Sequence, residues 1–333
     1  MKITRTVAKH GSLLPRALDV IRRVPHDAWT HLDHGVLHPR VAYGRALSKV
    51  ATAWQAAIPA LSKLSSELRF NVPRPDSAEV EEKYGALLHA LYGHIEACYA
   101  VMRCVAPVPA KPGAFHQSAV RAQKLPGAKM FEDQVLAYKN ASLGPTVNLM
   151  KHSEAKLRIL AFRSRFTFTL AYFVDGPQRG GVIGPALNVH ADGNSAFSFN
   201  RDMLVHWWWL FRSSELLSEV IEQNMASKML PAADGAGAGV GPAEAAEEWV
   251  DLCRAIAAIP PDFTPDECEK PYPLVVVPPS GASMRLEFPA PRRPNKFDPD
   301  SKITGVFTID EGGQSYRVPY LGDDENVITV EAH

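Results

Sequence analysis

The chain has 333 residues, 46% of them apolar and 22% charged, with 36 basic side chains against 36 acidic ones. That length suits one large domain or two ordinary ones, and the apolar share is enough for a core, which excludes wholesale disorder. The zero net charge excludes a global pull toward nucleic acid or an anionic membrane, and no uninterrupted apolar run approaches the ~18 residues of a membrane span.

Met1 to Ser12 carries charge with no apolar stretch behind it, so no signal peptide is expected. The four cysteines, Cys98, Cys104, Cys253 and Cys268, form no CxxC pair, and a reduced cytoplasmic protein is the simpler expectation. Along the chain, Tyr43, Leu47, Val50, Trp54, Ala57, Leu61, Leu64 and Leu68 recur at spacings of three and four and predict a helix over about 40–70, with a kink or break at Pro59. Asp76 and Glu79 have the spacing of a capping box. The second stripe, Val80, Tyr84, Leu87, Leu88, Leu91, Ile95, Cys98 and Met102, predicts a partner helix over about 76–105. Two long helices joined by a short link bury such stripes by packing antiparallel.

A third helical region is expected from Ala128 to about Glu154, interrupted at Gly144-Pro145. The period then becomes two. Phe162, Phe166, Phe168, Leu170 and Tyr172 share one parity and Arg163, Arg165, Thr167 and Thr169 the other, which predicts a strand with a buried face and a wet basic one. Leu187 to His190 and Ala196 to Phe199 flank Asp192-Gly193, a hairpin signal. Asn200 is placed to cap a helix running to about Asn224. The Gly/Ala tract at 231–242 reads as a flexible linker. A helix over 243–258 follows, then strands at 274–277, 284–288, 303–309, 316–321 and 327–330, with a turn at 310–313. The expected fold is α+β: a mainly helical part over 1–230 with strands near 157–200, the linker at 231–242, and a small β-rich part over 243–333 with one leading helix.

Three groups of residues could carry chemistry. His26, Asp27, His31, Asp33, His34 and His38 are ligand types that suit zinc or iron. His31, Asp33 and His34 are similar to the second half of the HxHxDH pattern of metallo-β-lactamase-like hydrolases, though Trp29 stands at its first histidine and no strand precedes it. Arg201 and His206 fall in the stretch Arg-Asp-Met-Leu-Val-His, which resembles the short motif of HEPN-type ribonucleases. That resemblance implies metal-independent RNA cleavage, the arginine holding phosphate and the histidine moving the 2′-hydroxyl proton. Five residues turn ~140° around a helix, so the pair would need a composite site across a homodimer. Residues 118–165 carry nine Lys and Arg against three acids, and Lys151, Lys156, Arg158, Arg163 and Arg165 form a candidate phosphate-binding stripe. Residues 310–333 carry six acids against Arg317 alone. Trp207, Trp208 and Trp209 span ~200° of a helix, so one must touch a second element, a partner or a ligand.

No Walker A, GxSxG or dinucleotide-binding pattern is present, and no cofactor is expected. The sequence reads as a non-enzymatic binding or assembly protein of the cytosol, with nucleic acid or a second copy as the candidate partner. The alternatives are the metal-independent ribonuclease and the metallohydrolase.

Overall fold

The computed structural model describes residues 1–6, 13–70, 75–109, 115–165, 167–178, 181–190, 193–231, 243–281, 283–306, 315–321 and 327–329. The linker tract at 232–242, the turn at 310–313 and Phe166 lie outside them.

Strand β1 (Lys2–Thr6) and helix α1 (Arg16–Arg23) lead into α2 (Pro39–Arg69) and α3 (Ala78–Arg103), the long antiparallel pair. The helical spacing is the cause: Tyr43, Leu47, Val50, Trp54, Ala57 and Leu64 on α2 are buried, as is every member of the α3 stripe. Two local expectations are corrected here. Pro59 does not break α2, because it sits on the solvent side, where water can bond the carbonyl it leaves without a donor. The capping box does not form either. Ser77 is the N-cap, Asp76 Oδ1 accepts from the Ala78 N–H at 2.9 Å, and Glu79 pairs instead with Lys63 on α2 at 2.8 Å.

After α4 (His116–Gln123), α5 (Ala128–Tyr138) runs through a π-helical turn at Lys139–Leu143 into α6 (Gly144–His152). A side chain at 144 would stand 2.8 Å from the Lys139 carbonyl oxygen, so the wide turn needs a glycine there. The interruption expected at Gly144-Pro145 is thus one expanded turn.

The expected single strand over 162–172 is two strands of a hairpin, β2 (Leu157–Arg163) and β3 (Phe168–Pro177). Ser164 and Thr167 close it. The Ser164 N–H donates to the Thr167 carbonyl and the Thr167 N–H to Ser164 Oγ, each at 3.0 Å. Both faces of β2 are covered. Ile159 and Ala161 join the main core, while Leu160 and Phe162 join Phe173 and Val318 in a second, smaller one. The wet basic face therefore does not exist as expected: Arg158 is buried, Arg163 and Phe168 are half-buried, and Arg165 alone of the three arginines is exposed.

Next come β4 (Ile183–Pro185), β5 (Phe197–Ser198) and α7 (Phe199–Met225). Asp192 of the expected hairpin turn lies outside the described residues, and 187–190 are not a strand: they turn back on Ala186, whose carbonyl accepts from the Val189 and His190 N–H groups at 3.0 and 2.8 Å. Ser198, not Asn200, caps α7, its Oγ accepting from the Arg201 N–H at 3.3 Å. Trp207 and Trp208 are buried, and Trp209 is half-buried and stacks on Tyr138 with 5.0 Å between ring centroids. Packing within the chain accounts for all three.

Helix α8 (Ala243–Ala257) precedes β6 (Leu274–Val276), β7 (Ser283–Glu287), β8 (Lys302–Val306), β9 (Ser315–Arg317) and β10 (Val327–Thr329). The order β1-β7-β6 makes a three-stranded sheet, and β10-β9-β4-β3-β2-β8, with β5 beside β3, makes the larger one. Chain after the tract at 232–242 is thus stitched into chain before it. Ile3 pairs with Leu286, Ala161 pairs with Thr304, and the Trp207 and Trp249 rings meet at 5.9 Å. If a protease site is engineered into 232–242 and cut, the two fragments are expected to co-elute on gel filtration in native buffer. Fragments that separate without denaturant would show that these ladders hold nothing together.

Candidate functional site

A hollow of about 740 Å³ opens where the end of α6 meets the start of β2 and the ends of β3 and β4. Its floor is an ion pair built into the hairpin: Arg158 Nε stands 2.7 Å from Asp175 Oδ2, with Arg158 only 2% exposed and Asp175 7%. Strand register puts the two on adjacent strands, and the Lys156 N–H donates to Asp175 Oδ1 at 2.7 Å. The Arg158 guanidinium also lies over the Tyr316 ring at 5.2 Å, so β9 holds it from above. Close by, Glu81 is bonded by Ser77 at 2.8 Å; burial raises its carboxyl above the usual range, against the pull of Ser77, Arg158 and Lys156. Lys156, Glu154, Ser153 and Asn188 form an exposed rim, and Ala186, Leu187 and Leu149 an apolar wall. A shallower hollow of about 540 Å³ shares Leu149, Ser153 and Asn188 with the first and extends it past His152 to Pro145. Together they make one groove along α6.

Of the expected phosphate stripe, the structure brings together Lys156 and Arg158 in this groove. Lys151 lies exposed on the last turn of α6, and Arg163 and Arg165 stand at the opposite end of the hairpin. Three of the nine basic side chains of 118–165 are met by acids on other elements: Arg121 pairs with Glu132, Lys139 with Glu96 at 3.1 Å, and Arg158 with Asp175.

Arg201 and His206 are not brought together. Arg201 donates to the Pro271 carbonyl at 2.8 Å and stands 3.6 Å from Glu267 Oε1. His206 is 1% exposed and faces the core. There it joins a buried polar chain: Nδ1 lies 2.7 Å from the Tyr138 hydroxyl and Nε2 3.2 Å from Asp202 Oδ2, which also accepts from Tyr84 at 2.7 Å and Tyr172 at 2.5 Å. Burial pushes the Asp202 carboxyl up, but His206 and the two tyrosine hydroxyls outweigh it and hold the group below its ordinary range. His206 is thus enclosed among core side chains, and Arg201 stands apart from it at the Pro271 carbonyl.

Behind the α7 cap lies a second buried carboxyl. Glu267 Oε2 accepts from the Ser198 N–H at 2.9 Å and from its hydroxyl, and burial pushes Glu267 up to about 7 against the pull of Arg201 and Ser198. Burial likewise pushes the Cys104 and Cys253 thiols up to about 12, which makes both poor nucleophiles.

The histidines separate into two sets. His34 accepts from Arg103 Nε at 3.1 Å and its Nε2 lies 2.8 Å from the Ala106 carbonyl, while Asp33 is exposed. His31 instead clusters with His26 and His38, at ring separations of 5.3 and 4.8 Å. His26 and His38 are stacked 10° from parallel at 4.3 Å, and a metal ion bonded in the plane of one ring cannot lie in the plane of the other. Among the described residues no group of three or more His, Cys, Asp or Glu is arranged to hold a metal.

Asp175, Glu154, Asn188, Asp202 and Glu267 escaped the sequence reading. For one of these, Asp175, a signal existed: Arg158 inside an apolar run and Asp175 at the end of another are charges that a buried strand keeps only if they are paired. Comparison with protein-family models, with curated proteins and with solved structures returned no match. Among the described residues, no helix is long and apolar enough to cross a membrane.

Proposed function

We propose that the chain is a non-catalytic binding protein that takes an extended polypeptide segment in the groove along α6. The observation that carries this reading is the pair of contiguous hollows, about 740 and 540 Å³, sharing Leu149, Ser153 and Asn188. A trough with an apolar wall and a few polar groups on its rim suits a ligand with alternating side chains. Lys156 and Glu154 put both signs of charge on the walls, which suits a peptide and opposes a uniformly anionic nucleic-acid backbone. The buried ion pair on the floor supports the groove as a rigid platform.

Peptides selected from a random display library against the native protein test this. Binding is expected to weaken at least about tenfold in Ser153→Trp and Asn188→Trp, whose exposed positions accept a large ring without disturbing the core. Selected peptides that bind both variants like the native protein would place the ligand elsewhere. Cleavage of a labelled RNA by the native protein, lost in His206→Ala, would favour the ribonuclease.

A further inference from the structure

On the far side of the hairpin from that groove lies an apolar cleft of about 280 Å³, walled by Leu61, Leu170, Phe199, Met203, Ala258 and Ile259. It draws on α2, β3, α7 and the end of α8, so four elements fix its shape. Its mouth is basic. The Arg69 guanidinium lies 5.0 Å over the Phe168 ring, and Arg163 approaches the same ring at 5.9 Å while donating to the Leu68 carbonyl. Two guanidinium groups are held near one phenyl ring at the end of a greasy slot. Arg69 is exposed and, among the described residues, has no carboxylate or side-chain hydrogen-bond partner; its guanidinium lies over the Phe168 ring. The serines 62 and 65 add hydroxyls along the same edge.

We propose that this cleft is a second, independent binding site, for an amphipathic monocarboxylate whose hydrocarbon tail fills the slot and whose carboxylate sits against Arg69. The tail gains from leaving water in proportion to its buried length. The head supplies the acid that Arg69 lacks, as a charge-assisted pair beside a second cation. An anion against Arg69 also offsets its repulsion by the nearby Arg163 guanidinium; among the described residues no acid stands at the Arg69 side. An uncharged tail would gain the first effect without the second and third, so the head group decides the class of ligand.

Calorimetric titration of the full chain with octanoate tests the assignment. Octanoate is expected to bind about fifteenfold more tightly than hexanoate, from ~4-fold per buried methylene. Octanol should bind at least about tenfold more weakly than octanoate. Arg69→Met keeps the aliphatic stem but not the charge, and should cost octanoate a similar factor while leaving octanol unchanged. Ala258→Trp, at an exposed wall position, should abolish binding of both with no loss of melting temperature. The Ser153→Trp groove variant should bind octanoate as the native protein does, which separates this site from the peptide groove. Equal affinity for octanoate and octanol, native-like octanoate affinity in Arg69→Met, or no octanoate binding at millimolar concentration would each overturn the proposal.

Discussion

Replacing Asp202 by alanine is expected to lower the unfolding free energy by about 3–5 kcal/mol, the usual cost of removing one partner from a buried charged network. Asp202 Oδ2 accepts from Tyr84 and Tyr172 and faces His206 Nε2 at 3.2 Å, and all four groups are buried. Without the carboxylate, two phenol hydroxyls lose their anionic acceptor and the imidazole its charged neighbour in a buried place, and each lost hydrogen bond is worth ~1–3 kcal/mol before relaxation. His206→Ala should cost less, about 1–3 kcal/mol, since it removes a ring and leaves the Tyr138 hydroxyl unmatched while the two tyrosines keep Asp202. Equilibrium urea unfolding measures both. An Asp202→Ala protein within about 1 kcal/mol of the native one would mean that the network contributes far less than its burial implies.

Acidification from pH 6.5 to 4.5 should weaken the fold by roughly 3 kcal/mol, and Glu267→Gln should make the loss about twice as large. His94 is buried against Tyr43, and His190 Nε2 accepts the Val174 N–H at 2.9 Å while its Nδ1 is buried with no hydrogen-bond partner among the described residues. Burial lowers both imidazoles from the ordinary 6.5 to about 4. Their folded values are depressed, so the unfolded chain binds the extra protons between about 6.5 and 4. The stability they support is complete above 6.5 and is lost as pH falls, at ~1.36 kcal/mol per unit for each. Glu267 has the opposite sign. Its folded value is raised from 4.5 to about 7, so its contribution is complete below 4.5 and is lost as pH rises toward 7. Over 4.5–6.5 one glutamate offsets one histidine, leaving a net slope of about one proton. Glutamine at 267 keeps an acceptor for Ser198 but removes the offset, so the slope doubles. His38, also lowered to about 4 by partial burial and by His26, His31 and Arg40, adds in the same direction, screened by its exposure to solvent. Urea midpoints across this range give the slope directly. An unchanged slope in Glu267→Gln would show that this carboxyl does not titrate between 4.5 and 7.

Much of the candidate site lay beyond local reading for a physical reason. Arg158 and Asp175 are 17 positions apart and meet only because the chain reverses between Ser164 and Thr167. Alternation of two continues on both sides of that reversal, so Phe162 to Tyr172 reads as one strand although it holds parts of two. The basic stripe is divided for a similar reason. Its charges are close in sequence, yet Asp175 is brought to Arg158 from the next strand, Lys156 stands at the groove and Arg163 at the other end of the hairpin, while Arg121 and Lys139, earlier in the same basic segment, meet Glu132 and Glu96 from other elements. The apparent Arg201 and His206 motif was separated by helical rotation, which the spacing itself foretold: one side chain meets Pro271 and Glu267, the other Asp202 and Tyr138.

What the sequence determined by itself was the kind of the long helices and of the C-terminal strands, whereas β1, α1, α4 and β4 went unpredicted. Tyr43 to Leu64 and Val80 to Met102 are helical because a period near 3.6 allows one face to be buried, and 274–276, 283–287, 302–306, 315–317 and 327–329 are extended near where β-branched and apolar runs placed them. Which strand meets which was decided only in three dimensions. Nothing within residues 2–6 names β7 as the partner of β1, and nothing within 302–306 names β2 as the neighbour of β8. Periodicity is a property of a few successive residues, whereas pairing is chosen by how all the apolar faces together leave water, and contacts nearly 300 residues apart in the chain enter that choice as fully as local ones.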